Sequence, residues 1–178
     1  MWLEERVFLN NAVCEAKPFI ALEIGTWKGG GSTLQIVNAI TTYGGHLHTC
    51  ETDNILYQEA IKSYQHSNLN QYISFYNKPS TDVINDMIKR NLIPQFIFFD
   101  GPEDSDLNLS DFKLLDQHLP VGTYFCMHDW DLGMRVDGNI SIKALYLRPY
   151  LEKLSTWKIL RSLTAPISVG IVLAQKVI

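Results

Sequence analysis

Apolar residues in this chain alternate between short unbroken runs and stretches of helical spacing. The runs FIALEI (residues 19–24), HLHTC (46–50), YISFY (72–76), QFIFFD (95–100) and TYFCMH (123–128) read as strands. The unbroken character of FIFF marks a strand buried on both faces of a parallel sheet. Between the runs, Trp2, Leu3, Val7, Phe8 and Ala12 predict an amphipathic helix over 2–16. Leu34, Ile36, Val37 and Ile40 predict a second helix, ended by Gly44 and Gly45. Residues 54–66 and 81–90 read as further helices, and Phe112, Leu114, Leu115 and Leu119 predict one starting at Asn108 or Ser110. A helix over about 140–153 follows, and TWKILRSL and SVGIVLAQK, joined through Pro166, read as an antiparallel pair at the sheet's edge. The expected fold class is α/β, with a mostly parallel sheet of seven strands and one antiparallel edge strand.

The stretch FIALEIGTWKGGGST concentrates the candidate chemistry, with Gly25, Gly29, Gly30 and Gly31 in the turn between the first strand and the second helix. Glycines there admit positive φ and close approach of a ligand. Neither G-x-G-x-x-G nor the Gly-Lys-Ser/Thr ending of a P-loop is present. Instead Glu23 precedes Gly25 by two positions, where a carboxylate repels a pyrophosphate and welcomes an amino group or a sulfonium. That favours S-adenosylmethionine over NAD. Glu51 ends the second strand, where an acid accepts hydrogen bonds from ribose hydroxyls. Ser80 follows the third strand and either reaches an adenine or caps the next helix. His46, His48 and Cys50 share a strand face, but no fourth ligand stands near them in sequence, so ordinary burial is the simpler reading.

A length of 178 residues suits one domain, with residues 1–18 a short N-terminal helix and 19–178 the sheet and its helices. Apolar residues at 46% and charged residues at 19% argue for a globular chain. A net charge of -4 with scattered Lys and Arg leaves no basic footprint for nucleic acid. No apolar run approaches the roughly 18 residues of a membrane span, and the N-terminus lacks the pattern of a secretory signal. Cys14, Cys50 and Cys126 are odd in number and widely spaced, which suits reduced thiols in a cytoplasmic protein. Small folds of this kind often form homodimers, though nothing in the sequence specifies one.

At Glu23, Gly25 and Gly29 the chain resembles the class I S-adenosylmethionine-dependent methyltransferases, whose first motif is an acid-x-Gly-x-x-x-Gly turn. The fuller EIGTWKGG-ST is similar to the small-molecule O-methyltransferase branch that includes macrocin and catechol O-methyltransferases, although that branch usually has one or two glycines where three stand here. The resemblance implies a Rossmann-like sheet over almost the whole chain. It also implies S-adenosyl-L-methionine as cofactor, with Glu23, Gly25, Gly29 and Ser32 at its methionine end, Trp27 packed nearby and Glu51 on the ribose. The acceptor would be a hydroxyl of a small molecule.

Metal-dependent relatives place one acid after the fourth strand and an acidic pair after the fifth, and here Asp100, His128 and Asp129 fall on those positions. Magnesium prefers oxygen ligands, and imidazole in the set suits manganese, zinc or iron better, so the resemblance leaves open whether Mg2+ or another divalent ion assists. A base stands three positions after the fourth-strand acid in the relatives. Glu103 occupies it here, as a candidate general base or as part of a solvated acidic run with Asp104 and Asp106. Trp130 is either a wall of the acceptor pocket or core, and Asp131, Gly133, Arg135 and Gly138 fall in a loop suited to a lid. Three other readings remain: a cofactor-binding protein without catalysis, motivated by Glu103 and the short N-terminal segment; an iron-dependent hydroxylase of the cephalosporin-hydroxylase type, using Asp100, His128 and Asp129; and an NAD-linked oxidoreductase, which the glycine pattern disfavours.

Overall fold

The computed structural model describes residues 1–134, 138–164 and 169–178; Arg135 and Pro166 lie outside them. Strands β1 (Ile20–Ile24), β2 (His46–Cys50), β3 (Ile73–Tyr76), β4 (Phe96–Phe99) and β5 (Tyr124–His128) run parallel. After a two-stranded ribbon of β6 (Gly133–Met134) and β7 (Ile140–Ser141), the chain returns through β8 (Trp157–Leu163) and β9 (Ile171–Lys176). The main sheet has the order β3-β2-β1-β4-β5-β9-β8, in which β9 is antiparallel to both β5 and β8. The antiparallel pair at the edge is therefore present, with β9 the reversed strand and β8 outermost.

Period-two alternation divides the strand residues between two cores. Leu22, Ile24, Ile97, Phe99, Phe125 and Met127 face α4 (Ser80–Lys89), α5 (Ser105–Asp116) and α6 (Leu147–Leu151). Ala21, Leu47, Phe96, Phe98 and Cys126 face α1 (Leu3–Ala16) and α2 (Ser32–Ile40). Phe96, Phe98, Phe99, Phe112 and Phe125 are fully buried, each contributing roughly 1.5–3 kcal/mol of transfer free energy. The remaining helix, α3 (Asn54–Tyr64), is capped by Asp53, whose carboxylate accepts from the Ile55 and Leu56 amides. Among the described residues, no helix is long and apolar enough to cross a membrane.

Three expectations are corrected. The buried face of α1 is Glu5, Leu9, Ala12 and Val13, whereas Leu3 and Val7 are exposed, because the helix turns its acid inward. Helix α5 starts at Ser105 rather than at Asn108 or Ser110, since Asp104 accepts from the Leu107 amide and caps it a turn or more earlier. The long helix over 140–153 is instead the β7 strand and the five-residue α6, where Pro149 is tolerated in the first turn but would break a longer helix.

The strand order reverses between β1 and β4, and the loops leaving their carboxyl ends meet there. Gly25, at φ 96°, lies so close to the β4 exit that a Cβ would fall 2.3 Å from the Asp100 carbonyl oxygen and 2.9 Å from the Gly101 Cα. Gly25→Ala should therefore lose at least about 2 kcal/mol, or about 4–8 °C in melting temperature for a chain of this size. Thermal unfolding of the variant checks this, and an unchanged melting temperature would contradict the contact.

Candidate functional site

The turn after β1 hangs from β2. The Gly25 and Thr26 amides both donate to the Cys50 carbonyl at 3.1 Å, and the Trp27 amide donates to Glu51 Oε2 at 2.9 Å. That last bond helps hold Trp27 in the left-handed region, at φ 49°. Gly29 has a packing reason to be glycine: at φ 76° its absent Cβ would lie 2.9 Å from the Tyr64 ring, and Tyr64 donates its hydroxyl to the Gly29 carbonyl. Gly30 and Gly31 have no such reason, since a Cβ on either would meet nothing within 4 Å. Both line an open cavity of about 760 Å³, so the extra glycines leave room for a ligand rather than for the protein.

Gly25, Trp27, Ser32, Glu51, Ser80 and Asp100 line the same cavity, and Glu23 and Gly29 do not. Trp27 stands at the rim, 59% exposed. Glu51 accepts from Trp27 N and, through its other oxygen, from Asp53 N at 3.0 Å, which fixes its carboxylate. Ser80 is both the first residue of α4 and a cavity residue, and it donates its hydroxyl to Asp111, as does Thr81.

Glu23, expected against the cofactor, sits fully buried one layer behind the turn. Its Oε2 accepts from the Thr33 hydroxyl at 2.7 Å and the Thr49 hydroxyl at 2.6 Å, tying α2 and β2 to β1, while Oε1 has no hydrogen-bond partner among the described residues. Burial pushes its carboxyl up to about 7, against the pull of the neighbouring hydroxyls of Ser32, Thr49 and Thr33. Its place makes it a positioning residue for the turn.

The ends of β4 and β5 deliver Asp100, His128 and Asp129 to one point, with candidate ligand atoms all within 4.8 Å of one another. A fourth group completes the cluster. Lys143 Nζ lies 2.8 Å from Asp100 Oδ1 and 2.8 Å from Asp129 Oδ2. His128 Nδ1 lies 3.0 Å from Asp129 Oδ1 and 3.3 Å from Asp100 Oδ1, and its Nε2 lies 3.2 Å from Glu5 Oε2. With carboxylates on both sides, both ring nitrogens donate and the ring is an imidazolium. Burial alone would discharge it, but Asp100, Asp129 and Glu5 push its pKa up to about 11. Burial likewise opposes the charges on Asp100 and Asp129, yet Lys143 and His128 hold both carboxyls below the usual range. The donor set as it stands does not fit a divalent ion: an ammonium sits between the two carboxylates, and a doubly protonated imidazole has no lone pair to offer.

Glu103, the expected base, does not line the cavity; it is exposed and accepts from the Ile142 amide at 3.2 Å. Trp130 is buried core beneath Arg148, whose guanidinium carbon is 5.6 Å from the ring centroid and which also pairs with Asp131. His46 and His48 bond to Ser74 and Tyr76, and burial lowers the pKa of both, so they are core groups rather than a metal site.

Lys143 and Glu5 are the site residues that sequence reasoning missed. Lys143 arrives from the segment before α6, held where the Asn108 side-chain amide donates to both the Lys143 and Pro102 carbonyls, and a single lysine in a loop carries no pattern. Glu5 did carry a signal: its side chain accepts from the Trp2 amide at 2.7 Å, as the third-position acid of a capping box does.

A family described as "Methyltransferase domain" matches residues 22–130, and the chain belongs to that family. Among solved structures, an O-methyltransferase from Bacillus cereus in complex with SAH superposes with a TM-score of 0.82 at 19% identity, covering 99% of this chain and 82% of that one. The O-methyltransferase TomG from Streptomyces achromogenes, involved in tomaymycin synthesis and in complex with SAM, superposes with a TM-score of 0.80 at 15% identity, covering 99% and 81%. At these identities the likeness establishes the shared fold. No curated protein matches the sequence significantly.

The Glu23 carboxyl generates a pH test. A buried acid with its pKa raised from 4.5 to about 7 favours the fold while protonated, so its contribution declines as pH rises through that window and is gone above it. Relative to Glu23→Gln, the wild type should lose about 3 kcal/mol of unfolding free energy between pH 4.5 and pH 8. Urea unfolding of both proteins across that range checks it; parallel pH curves would place the Glu23 pKa near its ordinary value.

Proposed function

We propose that this chain transfers the methyl group of S-adenosylmethionine to a hydroxyl of a small molecule. The observation that carries the reading is one cavity at the carboxyl ends of β1, β2 and β4, with the open glycine turn and Glu51 on one side and Asp100 with Lys143 on the other. The family membership and the cofactor-bound neighbours support the same reading. In it, Gly30 and Gly31 admit the methionine portion, and the fixed Glu51 carboxylate uses its remaining lone pairs for the ribose hydroxyls. The Ser80 oxygen, whose own proton goes to Asp111, accepts from the adenine amino group.

Methyl transfer is an in-line displacement that the protein accelerates chiefly by alignment. A lone pair of the acceptor oxygen attacks the methyl carbon as the carbon–sulfur bond breaks and its electron pair stays on sulfur. The hydroxyl proton passes to the Asp100 carboxylate. That carboxylate is a weak base, but a protonated ether is a far stronger acid than any carboxylic acid, so late transfer is downhill. The net charge of -4 favours a small-molecule acceptor over nucleic acid, and the three free cysteines suit a reducing cytoplasm.

Calorimetric titration with S-adenosylmethionine and its demethylated product is the direct test, and failure of both to bind would overturn the reading. Glu51→Ala should weaken binding by about ten- to hundredfold through the lost charged hydrogen bonds. Transfer of a labelled methyl group from the cofactor into the small-molecule fraction of an extract would separate an enzyme from a non-catalytic binder.

A further inference from the structure

Lys143 is 5% exposed, yet it lines the cavity. An ammonium has three N–H donors. Two point to Asp100 Oδ1 and Asp129 Oδ2, each at 2.8 Å, and the third has no partner among the described residues. The backbone that delivers it is fastened on both sides: Asn108 donates to the Lys143 carbonyl, and the Ile142 amide donates to Glu103. The residue expected as base thus holds the segment that carries the lysine. The His128 imidazolium, backed by Glu5, closes the cluster from behind.

We propose that Lys143 is a built-in cation: its ammonium holds the place between Asp100 and Asp129 that a divalent ion would need and turns its remaining N–H toward one acceptor oxygen, so that methyl transfer here is independent of metal. The inference rests on the methyl-transfer reading for its chemistry, but the placement of the charge stands without it. A metal with open coordination positions binds two vicinal oxygens, whereas a single N–H binds one. The acceptor class is therefore a lone hydroxyl, and not a chelating diol or catechol. The ammonium donates to one lone pair of that oxygen and so aims the other at the methyl carbon; its own proton stays on Nζ throughout, while the hydroxyl proton leaves to Asp100 as above.

Manganese is the probe, read by the loss of its free electron paramagnetic resonance signal, with and without catechol. The wild type should take up no Mn2+ at this site in either condition. Lys143→Ala and Lys143→Met, which remove the charge while leaving both carboxylates, should bind Mn2+ at least about a hundredfold more tightly, given the repulsion that a cation at this distance exerts on a second one. Adding Asp129→Asn should abolish that gain. Wild-type uptake of Mn2+ that Asp129→Asn removes, or that catechol promotes, would overturn the proposal, and this result needs no variant of Lys143 to fold. Cofactor titration is scored separately: a protein that fails to bind S-adenosylmethionine sinks the methyl-transfer reading, while the manganese result still decides what fills the space between Asp100 and Asp129.

Discussion

A parallel sheet gathers the ends of its strands at one edge, and in this chain three of those ends carry acids that are buried or partly buried. Glu23, Asp100 and Asp129 must all be accommodated there, where leaving a carboxylate unpaired costs several kcal/mol. The chain uses two solutions. Glu23 has only hydroxyl donors, its pKa rises to about 7, and protonation relieves it. Asp100 and Asp129 stay ionised because Lys143 and His128 are brought against them. Much of what lies outside the sheet follows from the second solution: the path of the chain after β7, and the inward turn of Glu5 on α1.

The two solutions also divide the cavity chemically. Beside the glycine turn it is lined by Thr26, Gly30, Gly31, Ser32 and Glu51, whose carboxylate is held by the Trp27 and Asp53 amides. The opposite side is a network of full charges in which every member depends on its neighbours. Removing one partner there leaves a buried charge without its counterion, which is why Lys143 and His128 belong to one unit rather than to two ion pairs.

The fold was legible because its signals are local. FIFF reads as a doubly buried strand from its own composition, and the switch from unbroken apolar runs to helical spacing located the helices that follow β1, β2 and β3. The glycine turn and Glu51 were legible too, since both sit at strand ends whose order along the chain fixes their meeting in space. Lys143 was not, because its partners lie 43 residues away at Asp100 and in the next strand at Asp129, and the segment bearing it had the apolar content of a helix. The helix over 140–153 did not form because Pro149 permits only a short one and the chain before it is pinned by Glu103 and Asn108. Glu103 shows the complementary limit: spacing from Asp100 made it a candidate, but its carboxylate lies outside the cavity on the Ile142 amide.

Glu5 extends the dependence on charge to the N-terminal helix. A glutamate with no exposure on a helix whose Leu3 is 72% exposed inverts the usual pattern, and hydrophobic burial cannot explain it. The His128 imidazolium can. It carries a charge that Asp100 and Asp129 share with Lys143, and Glu5 supplies the counter-charge to its far nitrogen at 3.2 Å. The same helix brings Arg6, and the residues leading into it bring Met1, to the cavity lining. The helix before the first strand is therefore part of the site's electrostatics, and that ion pair adds to Leu9, Ala12 and Val13 in the core beneath it in setting its orientation on the sheet.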